Sequence, residues 1–183
     1  MTTFKELKEK GYQIEVNTTP MKNIFIPKGT VISGFAGIGK TTAALRYDNV
    51  IDLESSHYFF DMPKNLEPHN YEQLKGNLHR VPNPNGLENY VDAIIEAQKH
   101  YDYVLIAMFP ALLQRLHEKG VDVQIVLPHK DDKLQYELRY QRRGNKIDWT
   151  KNMINKWEIY IESTIKNNPF SKEPIIMEAY SSL

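Results

Sequence analysis

Gly34 and Gly39 enclose four residues and are followed at once by Lys40 and Thr41, so GFAGIGKTT over residues 34–42 has the GxxxxGKT spacing of a Walker A loop. The chemistry of that spacing is the holding of a triphosphate. Glycines at 34, 37 and 39 let the backbone curl until successive N–H groups point at phosphate oxygens, which side chains carrying Cβ atoms would obstruct. Lys40 would reach the β- and γ-phosphates, and Thr41 would offer its hydroxyl to Mg²⁺. The cradle so read comprises Gly34, Phe35, Ala36, Gly37, Ile38, Gly39, Lys40, Thr41 and Thr42, with ATP and Mg²⁺ as the expected cofactors. A turn that merely joins a strand to a helix is the competing reading. The apolar run before the loop and the helical segment after it meet the context the motif requires.

A second chemical cluster lies ten residues on. Asp52 and Glu54 stand at the carboxyl end of the short apolar run VIDL, the edge where open α/β sheets bind ligands. A strand turns its side chain over at every residue, so the two carboxylates face one volume. The alternative is a pair of ordinary polar residues where a strand becomes a loop, with Ser55 and Ser56 capping the next element. A third cluster, Arg139, Arg142 and Arg143, precedes Gly144. On a helix Arg139 and Arg143 share a face and Arg142 lies one turn from Arg139, so two of them can converge on developing phosphoryl charge while at least one faces solvent. An exposed basic helix end is the competing reading.

The elements that must position these groups follow from periodicity. TVISG before the loop and VIDL at 50–53 read as strands, and residues 40–46 as a helix. Residues 87–100 carry Tyr90, Val91, Ile94, Ile95 and Ala97 mostly on one helical face. YDYVLIAM at 101–108 reads as a buried strand, 110–119 as a helix ended by Gly120, and VDVQIVL at 121–127 as another strand. A charged helix over 131–143, a Gly-Asn break, a second helix with Ile154, Trp157, Ile161 and Ile165 at helical spacing, and a last strand at 174–178 complete the series. Alternation of strand and helix implies a parallel sheet covered on both faces.

Residues 1–28 read as an N-terminal arm or hairpin, with a short helix at 3–10, and residues 29–183 as one domain. Residues 54–86, rich in proline and aromatics, read as an inserted lobe that would hold an acceptor. His57, Tyr58, Phe59, Phe60, Tyr71 and His79 offer a stacking surface, and Arg80 a fork for an acceptor phosphate, with Lys75 a further cation. The alternative is that these aromatics pack the lobe's own small core.

Composition narrows the classes. In 183 residues, 41% hydrophobic, there is material for one substantial core. Lys plus Arg and Asp plus Glu balance at 23 each, which argues against a nucleic-acid partner and makes any phosphate recognition local. With no cysteine, disulfides, thiolate metal sites and a cysteine nucleophile are excluded, which suits a reducing cytoplasm. No apolar stretch is long enough to span a bilayer, and no signal-peptide core is present. Neither HxxxH nor HExxH spacing occurs, so no zinc site is expected, and no GxSxG elbow marks a nucleophilic serine.

GFAGIGKTT, IDLESS at 51–56 and RYQRRGN at 139–145 together resemble the nucleoside and nucleotide kinase branch of P-loop NTPases, in particular compact adenylate-kinase-like proteins of bacteriophages and prophages. The resemblance implies a three-layer sandwich on a five-stranded parallel sheet in the order 2-3-1-4-5, an acceptor-binding segment at 54–86, and an arginine-bearing lid, here at 131–147. It implies one carboxylate near Mg²⁺ and one near the acceptor: Asp52 for metal-water ligation or for taking the acceptor's proton, Glu54 for acceptor contact. The strand YDYVLIAM departs from many P-loop NTPases in ending at Ala107 and Met108 where an acid would help hold Mg²⁺. That disfavours a plain hydrolytic ATPase. The resulting expectation is transfer of the γ-phosphoryl group to a small acceptor, most simply a nucleoside monophosphate or deoxynucleotide. A kinase of a nucleic-acid end or nucleotide-sugar, and an ATP-binding regulatory protein, are the competing expectations.

Overall fold

In the computed structural model, which describes residues 26–61 and 81–177, seven strands form. They are β1 (Thr30–Gly34), β2 (Val50–Leu53), β3 (Phe60–Asp61), β4 (Val81–Pro82), β5 (Tyr103–Ile106), β6 (Val123–Pro128) and β7 (Ile175–Met177). β1 and β6 are apolar without strict alternation, and every residue of each is buried, which requires cover on both faces. They pair in parallel, Val31 opposite Val123 and Gly34 opposite Val126, with β5 on the other side of β1. β2 and β7 are the edges, and both are only partly buried. All neighbours in this sheet run parallel.

The sheet order is β2-β5-β1-β6-β7. Its numbering departs from the expected 2-3-1-4-5 because β3 and β4 form a separate two-stranded antiparallel sheet, where the sequence shows only an irregular lobe. Among the five strands of the main sheet, counted alone, each neighbour falls where that order puts it. The lobe's residues 62–80, Arg80 among them, lie outside the described residues, as do 1–25 with the expected arm and its helix, and 178–183.

The helices are α1 (Lys40–Arg46), α2 (Ser56–Phe59), α3 (Gly86–Ala97), α4 (Pro110–Glu118), α5 (Lys133–Arg142), α6 (Ile147–Asn155) and α7 (Trp157–Lys166), with a 3₁₀ turn at Lys130–Asp132 before α5. Pro110 at the first position of α4 needs no N–H partner there. Tyr90, Val91, Ile94 and Ala97 of α3 are buried, as the periodicity requires. None of the described helices is long and apolar enough to cross a membrane.

The single helix expected after Gly144 is two, interrupted at Lys156 (φ −101°, ψ 13°). The break rotates the apolar stripe. Trp157 and Ile161 are buried, while Ile165 is exposed. Trp157 is the pivot: fully buried, it donates from Nε1 to the Lys130 carbonyl at 2.7 Å and lies against Phe35 and Tyr136, with ring centroids 5.2 and 5.0 Å away. Because it bridges the 3₁₀ turn, α5 and the loop after β1, Trp157→Ala should cost about 3–5 kcal/mol in a chemical denaturation series, and Trp157→Phe much less.

Candidate functional site

The loop between β1 and α1 is anchored by its two large apolar residues. Phe35 and Ile38 are buried, and the Phe35 N–H extends the β1–β6 ladder by donating to Val126 at 3.1 Å. Between these anchors Gly37 takes φ +81°, and Gly39 at the helix N-cap takes φ +111°, conformations that side chains with a Cβ rarely adopt. A Cβ on Gly37 would also come within 2.9 Å of the Tyr140 ring. The loop's carbonyls find partners: Tyr140 donates its hydroxyl to Ala36 at 2.9 Å, Arg139 Nη1 donates to Gly37 at 3.2 Å, and Lys40 Nζ donates to Gly34 at 3.1 Å. The N–H groups of Gly37, Gly39, Lys40 and Thr41 find no acceptor among the described residues. A backbone with its acceptors matched and its donors open is a site for an anion.

α5 is therefore no free flap. Tyr136 and Tyr140 are 2% and 1% exposed, and Arg139 lies over the Tyr136 ring, 4.7 Å from its centroid, while reaching the loop. Burial drives the Tyr136 phenol up to about 12 and raises that of Tyr140. Of the three expected arginines, Arg139 is half-buried against the loop, and Arg142 and Arg143 are exposed at the end of α5, all three lining the cleft. Arg143 is near enough to Lys40 and Asp52 to act on the charge of both.

The acidic pair converges as the strand alternation requires. Thr41 Oγ1 donates to Asp52 Oδ2 at 2.7 Å, joining the first turn of α1 to β2. Burial raises the Asp52 carboxyl above its ordinary value, against the hydrogen bond from Thr41 and the charge of Lys40. Burial likewise lowers the Lys40 ammonium, against the attraction of Asp52 and Glu54. Glu54 accepts a 3.4 Å contact from the Ser56 N–H at the start of α2, while Ser55, the N-cap, makes no side-chain cap. The edge itself is closed by Tyr90, which sequence reasoning placed only on a packed helix face. Its hydroxyl donates to Leu53 at 2.6 Å and accepts from the Ala107 N–H at 3.0 Å, pinning together the ends of β2 and β5. A buried tyrosine needs some partner for its hydroxyl, but a sequence does not show which.

Tyr58 and Phe59 do not form an open stacking slot. Both pack on Tyr90, and Phe59 also meets Phe109 edge-on at 5.5 Å, so they fasten the start of the lobe to α3 and to the segment before α4. Tyr71, Lys75, His79 and Arg80 lie outside the described residues.

Residues 34–37 and 39–42 of the loop, Asp52, Glu54 and the three arginines line one cleft of about 1390 Å³, larger than the roughly 300–1,000 Å³ of a site for one small ligand. Among the described residues no three His, Cys, Asp or Glu side chains are grouped to hold a metal. The Thr41–Asp52 pair suits a hard cation that keeps most of its waters: the hydroxyl proton is spent on the carboxylate, and oxygen lone pairs of both groups remain.

No family model matches the chain, and no curated protein sequence matches it. Among solved structures it is similar to a tunicamycin resistance protein of Deinococcus radiodurans, with 12% identity over 84% of this chain and 88% of that one and a TM-score of 0.45. It is also similar to a gluconokinase of Sinorhizobium meliloti, with 14% identity over 85% of this chain and 84% of that one and a TM-score of 0.41.

The raised Asp52 carboxyl has a consequence for stability. The folded chain holds a proton more tightly at this position than the unfolded chain does, so the ionised carboxylate costs stability increasingly as pH climbs above its ordinary 3.8. Asp52→Asn should melt higher than the parent at neutral pH, with the difference narrowing as the pH falls toward 4. Thermal unfolding across that range decides it, and a variant that melts lower at pH 7 contradicts the assignment of burial as the dominant cause.

Proposed function

We propose that the chain is an ATP- and Mg²⁺-dependent phosphotransferase that moves a γ-phosphoryl group to a small acceptor. The observation that carries the reading is the 2.7 Å bond from Thr41 to Asp52 beside Lys40. It supplies from β2 the carboxylate that the end of β5, reading Ala107 and Met108, does not.

Bound ATP and Mg²⁺ would bring the transferable group and a divalent charge to offset that of its phosphates. The chain's residues do the positioning. The open N–H groups of Gly37, Gly39, Lys40 and Thr41 fix the phosphate oxygens, and Lys40 exchanges its bond to the Gly34 carbonyl for one to phosphate. Thr41 and Asp52 would hold the cation, directly or through its waters. Glu54, which lines the same cleft beside Asp52, would meet the acceptor and take its proton. Arg143, whose charge reaches both Lys40 and Asp52, and Arg142 beside it would stabilise charge on the group in transit, while Arg139 holds the loop.

The nucleoside monophosphate acceptor expected from the sequence depends on Arg80 to fix the acceptor phosphate. It remains one member of the acceptor class to be screened. Turnover should be read as ADP release with and without each acceptor. Lys40→Ala should lower acceptor-dependent turnover by at least about 10²–10³-fold, the usual cost of deleting a group that stabilises transition-state charge, with the fold intact by circular dichroism. Phosphorylation that survives in Lys40→Ala would sink the assignment.

A further inference from the structure

Strand β5 bonds β2 through every second residue, as one strand of a parallel pair does. The Tyr103 N–H donates to the Asn49 carbonyl at 3.2 Å, and Asp52 and Leu53 stand opposite Leu105 and Ile106. That register brings the Ala107 N–H to the Leu53 carbonyl for the next bond of the ladder. The Tyr90 hydroxyl stands between them instead, accepting from Ala107 at 3.0 Å and donating to Leu53 at 2.6 Å. Two bonds thus occupy the place of one of about 2.9 Å, and the strands part here where another rung would have closed them. The hydroxyl is held firmly in this gap. Tyr90 is fully buried, with the Tyr58 and Phe59 rings at centroid distances of 5.0 and 6.1 Å. Burial, with the charges of Asp52 and Glu54, keeps its phenol above the ordinary value, so the donated proton stays in place.

The two sides of this bridge are fixed differently. On the β5 side, Ser33, fully buried one residue before the phosphate loop, donates its hydroxyl to the Ala107 carbonyl at 3.1 Å. On the β2 side, Asp52 has its own tether in Thr41. The Leu53 carbonyl belongs to the peptide that leads into Glu54, so its bond to Tyr90 sets where Glu54 starts. We propose that Tyr90 is a positioning residue for Glu54: its hydroxyl spaces the Leu53–Glu54 peptide from β5 and so sets the reach of the Glu54 carboxylate into the cleft. The inference rests on the phosphotransferase reading and deepens it. Tyr90 does not line the cleft and acts only through Glu54. Without the hydroxyl, the Ala107 N–H takes the Leu53 carbonyl directly and draws Glu54 toward β5, while the loop, held by Ser33 and α5, keeps its place.

Two measurements on the full-length Tyr90→Phe variant test this, since the substitution keeps the ring and its packing. In the first, ADP release with ATP and Mg²⁺ is followed with the best acceptor from a panel of nucleosides and nucleoside monophosphates, below the variant's unfolding temperature. The kcat should fall about 10–10²-fold, the scale of a catalytic group misplaced by about 1 Å, with the KM for ATP unchanged. A variant whose kcat equals the parent's overturns this role alone, as does a rise in the KM for ATP. No acceptor-dependent turnover by the parent overturns the phosphotransferase reading and this role with it. In the second, a crystal structure of the variant should show the Ala107 N–H donating to the Leu53 carbonyl. A water in the place of the hydroxyl, with the strand ends unmoved, overturns the proposal.

Discussion

A loop that turns its N–H groups inward to meet phosphate must turn carbonyls outward, and those carbonyls need partners of their own. Much of this structure follows from that constraint. The carbonyls of Ala36 and Gly37 are met from α5, by the Tyr140 hydroxyl and the Arg139 guanidinium. To do this α5 must lie within contact of a loop residue that has no side chain, and the Tyr140 ring lies 2.9 Å from where a Cβ on Gly37 would be. α5 is held there in turn by an aromatic cluster in which Phe35, Tyr136 and Trp157 meet at centroid distances of 5.0–6.2 Å. Loop, helix and core are thus one packing problem, and the arginines at the end of α5 inherit a fixed origin from it.

The opposite side of the loop faces a different constraint, the burial of charge. Lys40 and Asp52 are both held in surroundings that oppose their ionised forms, and each is the other's compensation. Such a pair is poorly suited to be left as it stands and well suited to receive a polyanion with its cation, which supplies the missing partners of both. Tyr90 fixes the edge on which this happens by bonding β2 to β5 at their ends. The charged side chains of the cleft come from the start of α1, the end of β2 and α5, and the uncharged ones of its far wall from α4, α6 and α7.

The phosphate loop, the acidic pair and the alternation of strand and helix were legible in the sequence because each is a local pattern. Helix α1 and strand β2 begin and end at the residues their periodicity marks, 40–46 and 50–53. The break at Lys156 was not legible, since Ile154, Trp157, Ile161 and Ile165 keep helical spacing across it and only the tertiary fit of Trp157 separates the two helices. The same holds for Tyr90, which read as an ordinary apolar-face residue, and for Tyr140, which carried no signal of its own within the charged helix, because their hydroxyl partners, Leu53 and Ala107 for one and Ala36 for the other, are distant in sequence. Arg139 read as one of three equivalent cations; its separate duty to Gly37 depends on a contact spanning 102 residues.

The central claim, that the loop is a triphosphate cradle whose shape depends on α5, is tested most directly by calorimetric titration of ATP and Mg²⁺ into the parent and into Tyr140→Phe. The substitution deletes one hydroxyl and leaves the ring that packs on Gly37. Loss of the bond to the Ala36 carbonyl should weaken ATP about three- to tenfold, the effect of one net hydrogen bond, without a matching loss of folded structure. Equal affinity in the two proteins, or no binding of ATP by the parent, would contradict the account.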